Sequence, residues 1–348
     1  MSGPFRVAVV GLGYFSQFHL KAWQSRPDTD LVALCDRDSD RVHSQARGLG
    51  VPGYDSLAQL LTHHAVDILD IVAPPAAHAA LLSQCLGKTP VIVCQKPFCT
   101  SLEEAEQMTQ AAEKAGTRLI IHENFRFQPW YREVKDLLSD PSIGTVYQAR
   151  FALRPGDGRG PLAYLDRQPA FQTMPRLLVH ETGVHFLDLF RWLFGPIDAV
   201  YADLRRLNPA IAGEDAGLVI CTHRNGVRSI FDGNRLVDHA ADNPRLTMGL
   251  FEVEAEGGVV ALDGYGGLSL RRFGASTPQP VDISRDVDAT SFGGGCTAAL
   301  IDHVVEATKG QRPFENEARD YLDILRLSAM VYRSAKEQRA ITWQEGSP

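Results

Sequence analysis

No C-x-x-C pair occurs among the six cysteines, Cys35, Cys85, Cys94, Cys99, Cys221 and Cys296, which excludes a zinc knuckle and a thioredoxin-type redox motif. Cys35 and Cys94 lie inside apolar, strand-like runs, so the cysteines read as reduced thiols packed as small hydrophobes. No segment reaches the ~20 consecutive apolar residues of a membrane helix. No basic stretch followed by an apolar one precedes the first strand at about Arg6. A cytoplasmic protein without a membrane partner is expected. Lys and Arg form no basic run, and the formal net charge is -7. An acidic chain gains no attraction from phosphate backbones, so nucleic acid is not an expected partner. Internal repeats and low-complexity segments are absent.

What is present is an ordinary globular composition, 44% hydrophobic and 22% charged. The 348 residues exceed one typical core, so two domains are expected. Over the first ~120 residues, short apolar runs alternate with helix-length segments. Arg6–Val10, Leu31–Cys35, Ile68–Ala73, Val91–Cys94 and Leu119–His122 read as strands. Tyr14–Arg26, Ser39–Gly48, Ala76–Gly87 and Ser101–Gly116 read as helices. Strand–helix alternation with continuous apolar strands predicts a parallel sheet covered on both faces.

Further along, Val146–Leu153, Ala199–Arg206, Gly217–Thr222, Arg228–Asp232, Leu246–Ala255, Val259–Leu262 and Leu268–Phe273 read as strands joined by Gly, Asn and Asp turns without intervening helices. Glu256-Gly257-Gly258 is a hairpin signal. A large, mainly antiparallel open sheet is predicted, and two helices, Thr297–Lys309 and Glu317–Gln338, close the chain. The expected architecture is therefore α/β plus α+β. An N-terminal doubly wound parallel Rossmann sheet precedes a C-terminal α/β domain built on the open sheet.

Gly11-Leu12-Gly13-Tyr14-Phe15-Ser16 follows the first strand and opens a helix. Gly11 permits the tight turn, and Gly13 lets the backbone approach a pyrophosphate at the helix start. Ser16 stands at the third glycine position. Asp36, at the end of the second strand, can accept hydrogen bonds from an adenine-ribose 2′-hydroxyl and would repel a 2′-phosphate. NAD is the expected cofactor. The adjacent Arg37 can pair with that phosphate and leaves NADP open.

Gln95-Lys96-Pro97 ends another apolar run, so Lys96 stands beyond a strand's carboxyl end, where open parallel sheets bind ligands. Glu181, His185 and Asp188 are spaced i, i+4, i+7 and share one face if the segment is α-helical. Ionisable groups beside the apolar Leu187, Leu189, Phe190 and Leu193 are costly unless they serve a site. His180 and His185 are five apart, not the four a zincin needs, so no metal is expected.

These motifs together resemble the Gfo/Idh/MocA family of glucose–fructose oxidoreductases and inositol dehydrogenases over nearly the whole chain. Ala73-Pro74-Pro75-Ala76-Ala77-His78 is similar to the family's T-P-N-x-x-H, Gln95-Lys96-Pro97 to its E-K-P, and Glu181-Thr182-Gly183-Val184-His185 to its D-x-G-x-H. Q-K-P combined with His122-Glu123-Asn124-Phe125-Arg126-Phe127-Gln128 resembles the branch that contains D-apiose dehydrogenases. The chain departs from the pattern at Ala73, Pro75, Gln95 and Glu181.

The resemblance implies an NAD(P)-dependent dehydrogenase acting on a small polyhydroxylated substrate. Residues 1–123 are the expected dinucleotide domain. Residues 124–348 are the expected substrate and oligomerisation domain, with the closing helices able to pack back on the first. Lys96 is implied to orient the substrate hydroxyl, His185 to act as general acid/base, and Glu181 to fix His185 or share its proton. Asp188, Asn124, Arg126 and His180 are implied substrate binders. The alternative reading of Asn124 and Arg126 is an interdomain hinge, and that of His180 a structural histidine. Arg154, Asp157, Tyr164 and Arg176 rank behind them. Cofactor contacts are expected from Gly11, Gly13, Tyr14, Phe15, Asp36, Arg37, Pro74, His78, Gln95 and Lys96. A homodimer or homotetramer through the open sheet is expected, as in the family. The rival readings are a dinucleotide or sugar sensor without chemistry, and a lyase or glycosidase that recycles its NAD.

Overall fold

Runs such as Ile68–Ile71 and Val91–Gln95 are buried at every position, which suits strands covered on both faces. In the computed structural model, which describes residues 3–346, they lie in a six-stranded sheet. Its strands are β1 (Phe5–Val10), β2 (Thr29–Cys35), β3 (Gly53–Tyr54), β4 (Ile68–Ile71), β5 (Val91–Gln95) and β6 (Arg118–His122), in the order β3-β2-β1-β4-β5-β6. All neighbours are parallel. The order reverses between β1 and β4, and a Rossmann sheet binds its dinucleotide at that reversal. The crossovers carry α1 (Ser16–Gln24), α2 (Ser39–Leu49), α3 (Leu57–His63), α4 (Pro75–Cys85) and α5 (Leu102–Ala115).

Local chemistry sets the helix ends. Asp38 accepts from the Arg41 N–H at the start of α2 (3.0 Å). Ser101 accepts from the Glu104 N–H at the start of α5 (3.1 Å), and Glu104 reaches back to the Thr100 N–H, close to a capping box. Gly50 and Gly116 end α2 and α5 in the left-handed conformation. Pro75 opens α4 at its first position rather than only ending the strand before it. β3 and α3 had no counterpart in the sequence reading.

The second sheet comprises β7 (Val146–Leu153), β8 (Ile197–Arg205), β9 (Ala216–His223), β10 (Arg228–Asn234), β11 (Gly249–Ala255), β12 (Gly258–Leu262), β13 (Leu268–Arg272), β14 (Gln279–Val281) and β15 (Ile341–Thr342). Their order is β14-β13-β12-β11-β7-β10-β9-β8-β15. β10 pairs parallel with β7, and the other neighbours run antiparallel. Ala255 pairs with Gly258, so Glu256-Gly257 forms the expected two-residue hairpin. β11 starts at Gly249, not Leu246, because Met248 takes a positive φ of 60°. α6 (Pro129–Leu137) lies ahead of β7. The expectation of helix-free connections is corrected between β7 and β8 by α7 (Ala170–Thr173), while α8 (Val184–Phe194) in the same connection carries the helix expected around His185. Phe186 of α8 stacks on Phe151 of β7 at 3.8 Å and on Phe231 of β10 at 5.3 Å, forming the core over this sheet.

The helices α9 (Cys296–Thr308) and α10 (Ala318–Glu337) follow. The chain forms two compact units. One is the chain up to Glu123 with Thr297–Asp323, and the other is Asn124–Cys296 with the chain from Ile324 onward. Within the first unit the Asn316 amide donates to the Glu123 carbonyl (2.6 Å), and the Ile121 N–H to the Asn316 carbonyl (2.8 Å). All six cysteines are buried thiols. Burial pushes Cys35, Cys85, Cys99 and Cys221 up to about 12, far from nucleophilic use. Among the described residues no helix is long and apolar enough to cross a membrane.

Candidate active site

In the first unit, Gly11 follows β1 with φ +91°. A Cβ there would lie 2.7 Å from the Ala73 amide nitrogen and 2.8 Å from the Val72 carbonyl, so glycine is required twice over. Its N–H donates to the Cys35 carbonyl (2.8 Å). A Cβ at Gly13 would meet nothing within 4 Å, so a side chain would project into open space where glycine leaves room for a ligand's approach. The departure at Ser16 has a local cause. Its hydroxyl donates to the Gly13 carbonyl (2.7 Å), tying the helix start to the turn.

Asp36 Oδ2 accepts from the Leu12 N–H (2.7 Å), and Oδ1 from the Asp38 N–H (2.9 Å). The carboxylate is thus fixed at the end of β2 and retains lone pairs for a ribose. The open approach over Gly13 and this anchored acceptor fit NAD. Arg37 is exposed. The cation on Asp36 is Arg41, at 3.3 Å, which also pairs with Asp38 at 2.9 Å. Sequence reading missed it, although it stands only four residues beyond Arg37, in the first turn of α2.

His78 is corrected. It is fully buried, and its two ring nitrogens face the Phe98 and Ala73 carbonyls, each at 2.8 Å. In its neutral form it donates to one of these carbonyls, and with both nitrogens turned to the backbone it makes no contact with a cofactor. Burial holds it below the usual histidine range. Gln95 also turns inward: its Oε1 accepts from the Lys96 N–H (2.8 Å), and its Nε2 faces His19 Nε2 (3.1 Å). Pro74 caps the start of α4, and Tyr14 is 44% exposed. Phe15 packs its ring on Phe18 (5.2 Å) and His19 (5.6 Å). Lys96 follows β5 directly.

In the second unit, Leu178–Gly183 is a π-helical turn that runs into α8. The α-helical spacing that aligned Glu181 with His185 and Asp188 therefore applies only from Val184 onward, where His185 and Asp188 remain one turn apart. Two side chains far off in sequence catch the first N–H groups of this turn. Glu214 Oε1 accepts from the Val179 N–H (3.1 Å), and the Tyr332 hydroxyl accepts from the His180 N–H (3.0 Å). Tyr332 donates its own proton to Glu214 (2.6 Å). Burial, reinforced by the Glu214 carboxylate, pushes that phenol well up, so it remains a donor. The buried Arg235 donates to Thr182 Oγ1 (2.9 Å), fixing the end of the turn.

His185 is 5% exposed and lies flat on Phe125, rings 3.9 Å apart and 2° from parallel. Arg126 grips Asp188 with two hydrogen bonds, one of 2.8 Å from Nε and one from the terminal nitrogen. Read separately as substrate binders, these two are one unit. Asp188 is buried and orients the guanidinium, which is 11% exposed. Asn124 is buried at the head of the short 3₁₀ turn Phe125–Phe127. His180 and Glu181 are partly exposed.

The residues ranked second serve as internal partners. Arg154 pairs with Asp232 (2.8 Å). Asp157 and Tyr164 both hold Arg235, at 2.9 and 2.7 Å. Arg176 lies over the Tyr332 ring at 4.5 Å. Phe125, Glu214, Tyr332 and Arg235 were missed as supports. Phe125 was visible inside the H-E-N-F-R-F-Q stretch, whereas the others gave no local signal.

The sequence profile of the oxidoreductase family with an NAD-binding Rossmann fold, Gfo/Idh/MocA, matches residues 5–123, and that of the Gfo/Idh/MocA C-terminal domain matches residues 131–253. The D-apiose dehydrogenase of Paraburkholderia graminis is 31% identical over 97% of this chain and 89% of its own length. The myo-inositol 2-dehydrogenase of Thermotoga maritima is 24% identical over 68% of this chain and 70% of its own. Among solved structures, an oxidoreductase from Agrobacterium radiobacter in complex with NAD+, L-tartaric acid and magnesium superposes with a TM-score of 0.87 at 26% identity, covering 97% of this chain and 98% of that one.

Proposed function

This chain belongs to the Gfo/Idh/MocA family of NAD-binding oxidoreductases, and from that premise we propose that it oxidises a hydroxyl-bearing carbon of a small sugar or polyol, with a pentose of the D-apiose type first among candidates. The observation that carries the reading is His185, held flat on Phe125 one helical turn from the Arg126–Asp188 pair. It belongs to a chain whose first unit carries the Gly11–Asp36 dinucleotide turn. The P. graminis relative, similar over nearly the whole chain, supports the choice of sugar.

Gly11, Gly13 and Asp36 hold NAD+, which supplies the hydride acceptor. Lys96 donates to the substrate hydroxyl and stabilises the charge that develops on its oxygen. An imidazole nitrogen of His185 takes the hydroxyl proton, and stacking on Phe125 limits the ring to one plane. Glu181 orients His185 or shares its proton. Arg126, aimed by Asp188, binds a neighbouring hydroxyl or carboxylate, and Asn124 and His180 add polar contacts. General acid/base help of this kind is worth about 10²–10⁴ in rate. His185→Ala and Lys96→Ala are each expected to lower kcat by about that factor while NAD+ still quenches protein fluorescence on binding. Normal turnover in either variant removes that residue from the mechanism.

The buried thiols support a cytoplasmic setting. The open face of the second sheet supports self-association. The deciding experiment follows reduced nicotinamide absorbance with NAD+ and NADP+ separately against pentoses including apiose, hexoses, inositols and sugar acids. Reduction of NAD+ by one class supports the dehydrogenase. Preference for NADP+ would mean that Arg37 and Arg41 outweigh Asp36. Silence throughout, with NAD+ bound, would favour a sensor or an enzyme that recycles its cofactor.

A further inference from the structure

Behind Lys96 lies a chain of buried polar groups inside the first unit that the proposed chemistry does not use. His19 and Asp70 are completely buried. His19 Nδ1 lies 2.7 Å from Asp70 Oδ2, which also accepts from the Trp23 indole N–H at 2.7 Å. His19 Nε2 lies 3.1 Å from Gln95 Nε2, and Gln95 Oε1 accepts from the Lys96 N–H at 2.8 Å.

The direction of every link follows from one fact. A backbone N–H can only donate, so the Lys96 N–H fixes the Gln95 amide with its oxygen toward Lys96. The amide nitrogen then faces His19. It too can only donate, so His19 Nε2 must accept. The imidazole proton therefore sits on Nδ1 and goes to Asp70, a carboxylate that accepts from both His19 and Trp23. A glutamate at position 95, the residue that the family motif carries there, would set an acceptor against His19 Nε2. With both carboxyls ionised, only an imidazolium could satisfy that arrangement.

We propose that Asp70, His19 and Gln95 form a one-way positioning relay that anchors the Lys96 backbone, and that the amide at position 95 is matched to a neutral His19. This rests on the reading of Lys96 as the residue that orients the substrate hydroxyl. The relay roots the residue after β5 in the sheet interior through β4 and α1. A misplacement of about 1 Å at a reacting group can cost ~10²-fold in rate. The titratable groups facing His19 are Asp70 from β4 and the His122 ring from β6, whose centroid is 4.2 Å away; from β5 it meets Gln95, and at the start of its own helix Phe15. A charged His19 would therefore place a cation against a second titratable ring, whereas the neutral form places none there.

The test is long-range proton–nitrogen NMR on full-length protein labelled with ¹⁵N-histidine, with NAD+ bound. The His19 signal is identified by its loss in His19→Asn. At one and the same pH, the wild type is expected to show a neutral ring protonated at Nδ1, and Gln95→Glu to show both nitrogens protonated. Gln95→Ala is expected to lower kcat about 10- to 100-fold, with the NAD+ dissociation constant unchanged and KM little moved. A wild-type proton on Nε2, an imidazolium in the wild type, a neutral His19 in Gln95→Glu, or full kcat in Gln95→Ala would each overturn the relay. The tautomer is read without turnover. Full activity in Lys96→Ala would therefore remove the Lys96 assignment as a separate result, distinguishable from failure of the relay.

Discussion

His223 is buried on β9 with both ring nitrogens satisfied in the uncharged form. Nδ1 faces the Gly195 carbonyl and Nε2 the Ser229 hydroxyl, each at 2.8 Å. The carbonyl can only accept and the hydroxyl can donate, so the proton sits on Nδ1. Burial lowers its pKa from the ordinary 6.5, and the Gly195 carbonyl and Asp198 offset that only in part. His78 is lowered by burial in the same way. Between the lowered folded value and 6.5 the unfolded chain binds more protons than the folded one. The stability from keeping these rings neutral is therefore complete above about pH 6.5 and is lost as pH falls below it. Urea denaturation from about pH 7.5 down to 5.5 is expected to show falling stability, with a slope of at most about 1.4 kcal/mol per pH unit for each proton. His223→Gln is expected to flatten that slope even if it lowers stability at neutral pH. An unchanged slope would mean that His223 contributes nothing to it.

The π-helical turn at Leu178–Gly183 owes its wide backbone to partners outside itself. Glu214 and Tyr332 take the Val179 and His180 N–H groups, so the turn enters α8 with its first donors already satisfied. Tyr332→Phe removes the acceptor for His180 and one of the two donors to Glu214, leaving it the Val179 N–H. A loss of about 1–3 kcal/mol in unfolding free energy is expected. A fall in kcat larger than any change in KM is also expected, because the turn carries Glu181 and leads into His185. Wild-type stability and kcat together would show that the turn holds without Tyr332.

This element also marks where sequence legibility stops. α8 was readable from its apolar spacing, and the start of α5 from Ser101 and Glu104, because those signals are local. The π turn was not readable, since Glu214 and Tyr332 are far away along the chain. β3 spans two residues and α3 seven, too short for periodicity to register. The G-x-G turn, Asp36, Lys96 and His185 could be read because their motifs are contiguous. The coupling of Arg126 to Asp188, and of His19 through Gln95 to Lys96, required elements distant in sequence to be brought together first.

At the scale of the whole molecule, the register of the second sheet composes its open face. Tyr201 pairs with Ile220, Ile220 with Ile230, Ile230 with Arg150, and Arg150 with Glu252. The next row runs Asp203, Leu218, Asp232, Ala152 and Leu250. The alternating residues of these strands, such as Val219, Phe231 and Phe251, are buried, so one face is core and the other carries apolar groups among paired charges. Arg150 is bonded to Asp232 on the neighbouring strand, which lowers the cost of covering that charge with another surface. Tyr201, Leu218 and Leu250 on this face are 36–43% exposed. A partly apolar face whose charges are paired across neighbouring strands suits burial between two copies of the chain in a symmetric homo-oligomer. Light scattering is therefore expected to give a dimer or tetramer for the wild type. Leu218→Asp combined with Leu250→Glu is expected to shift the mass toward the monomer, because it adds unpaired carboxylates beside Asp232 and Glu252. The buried face and the dinucleotide turn are untouched by the pair, so NAD+ binding is expected to survive. A monomeric wild type, or a double variant with unchanged mass, would show that this face does not assemble the protein.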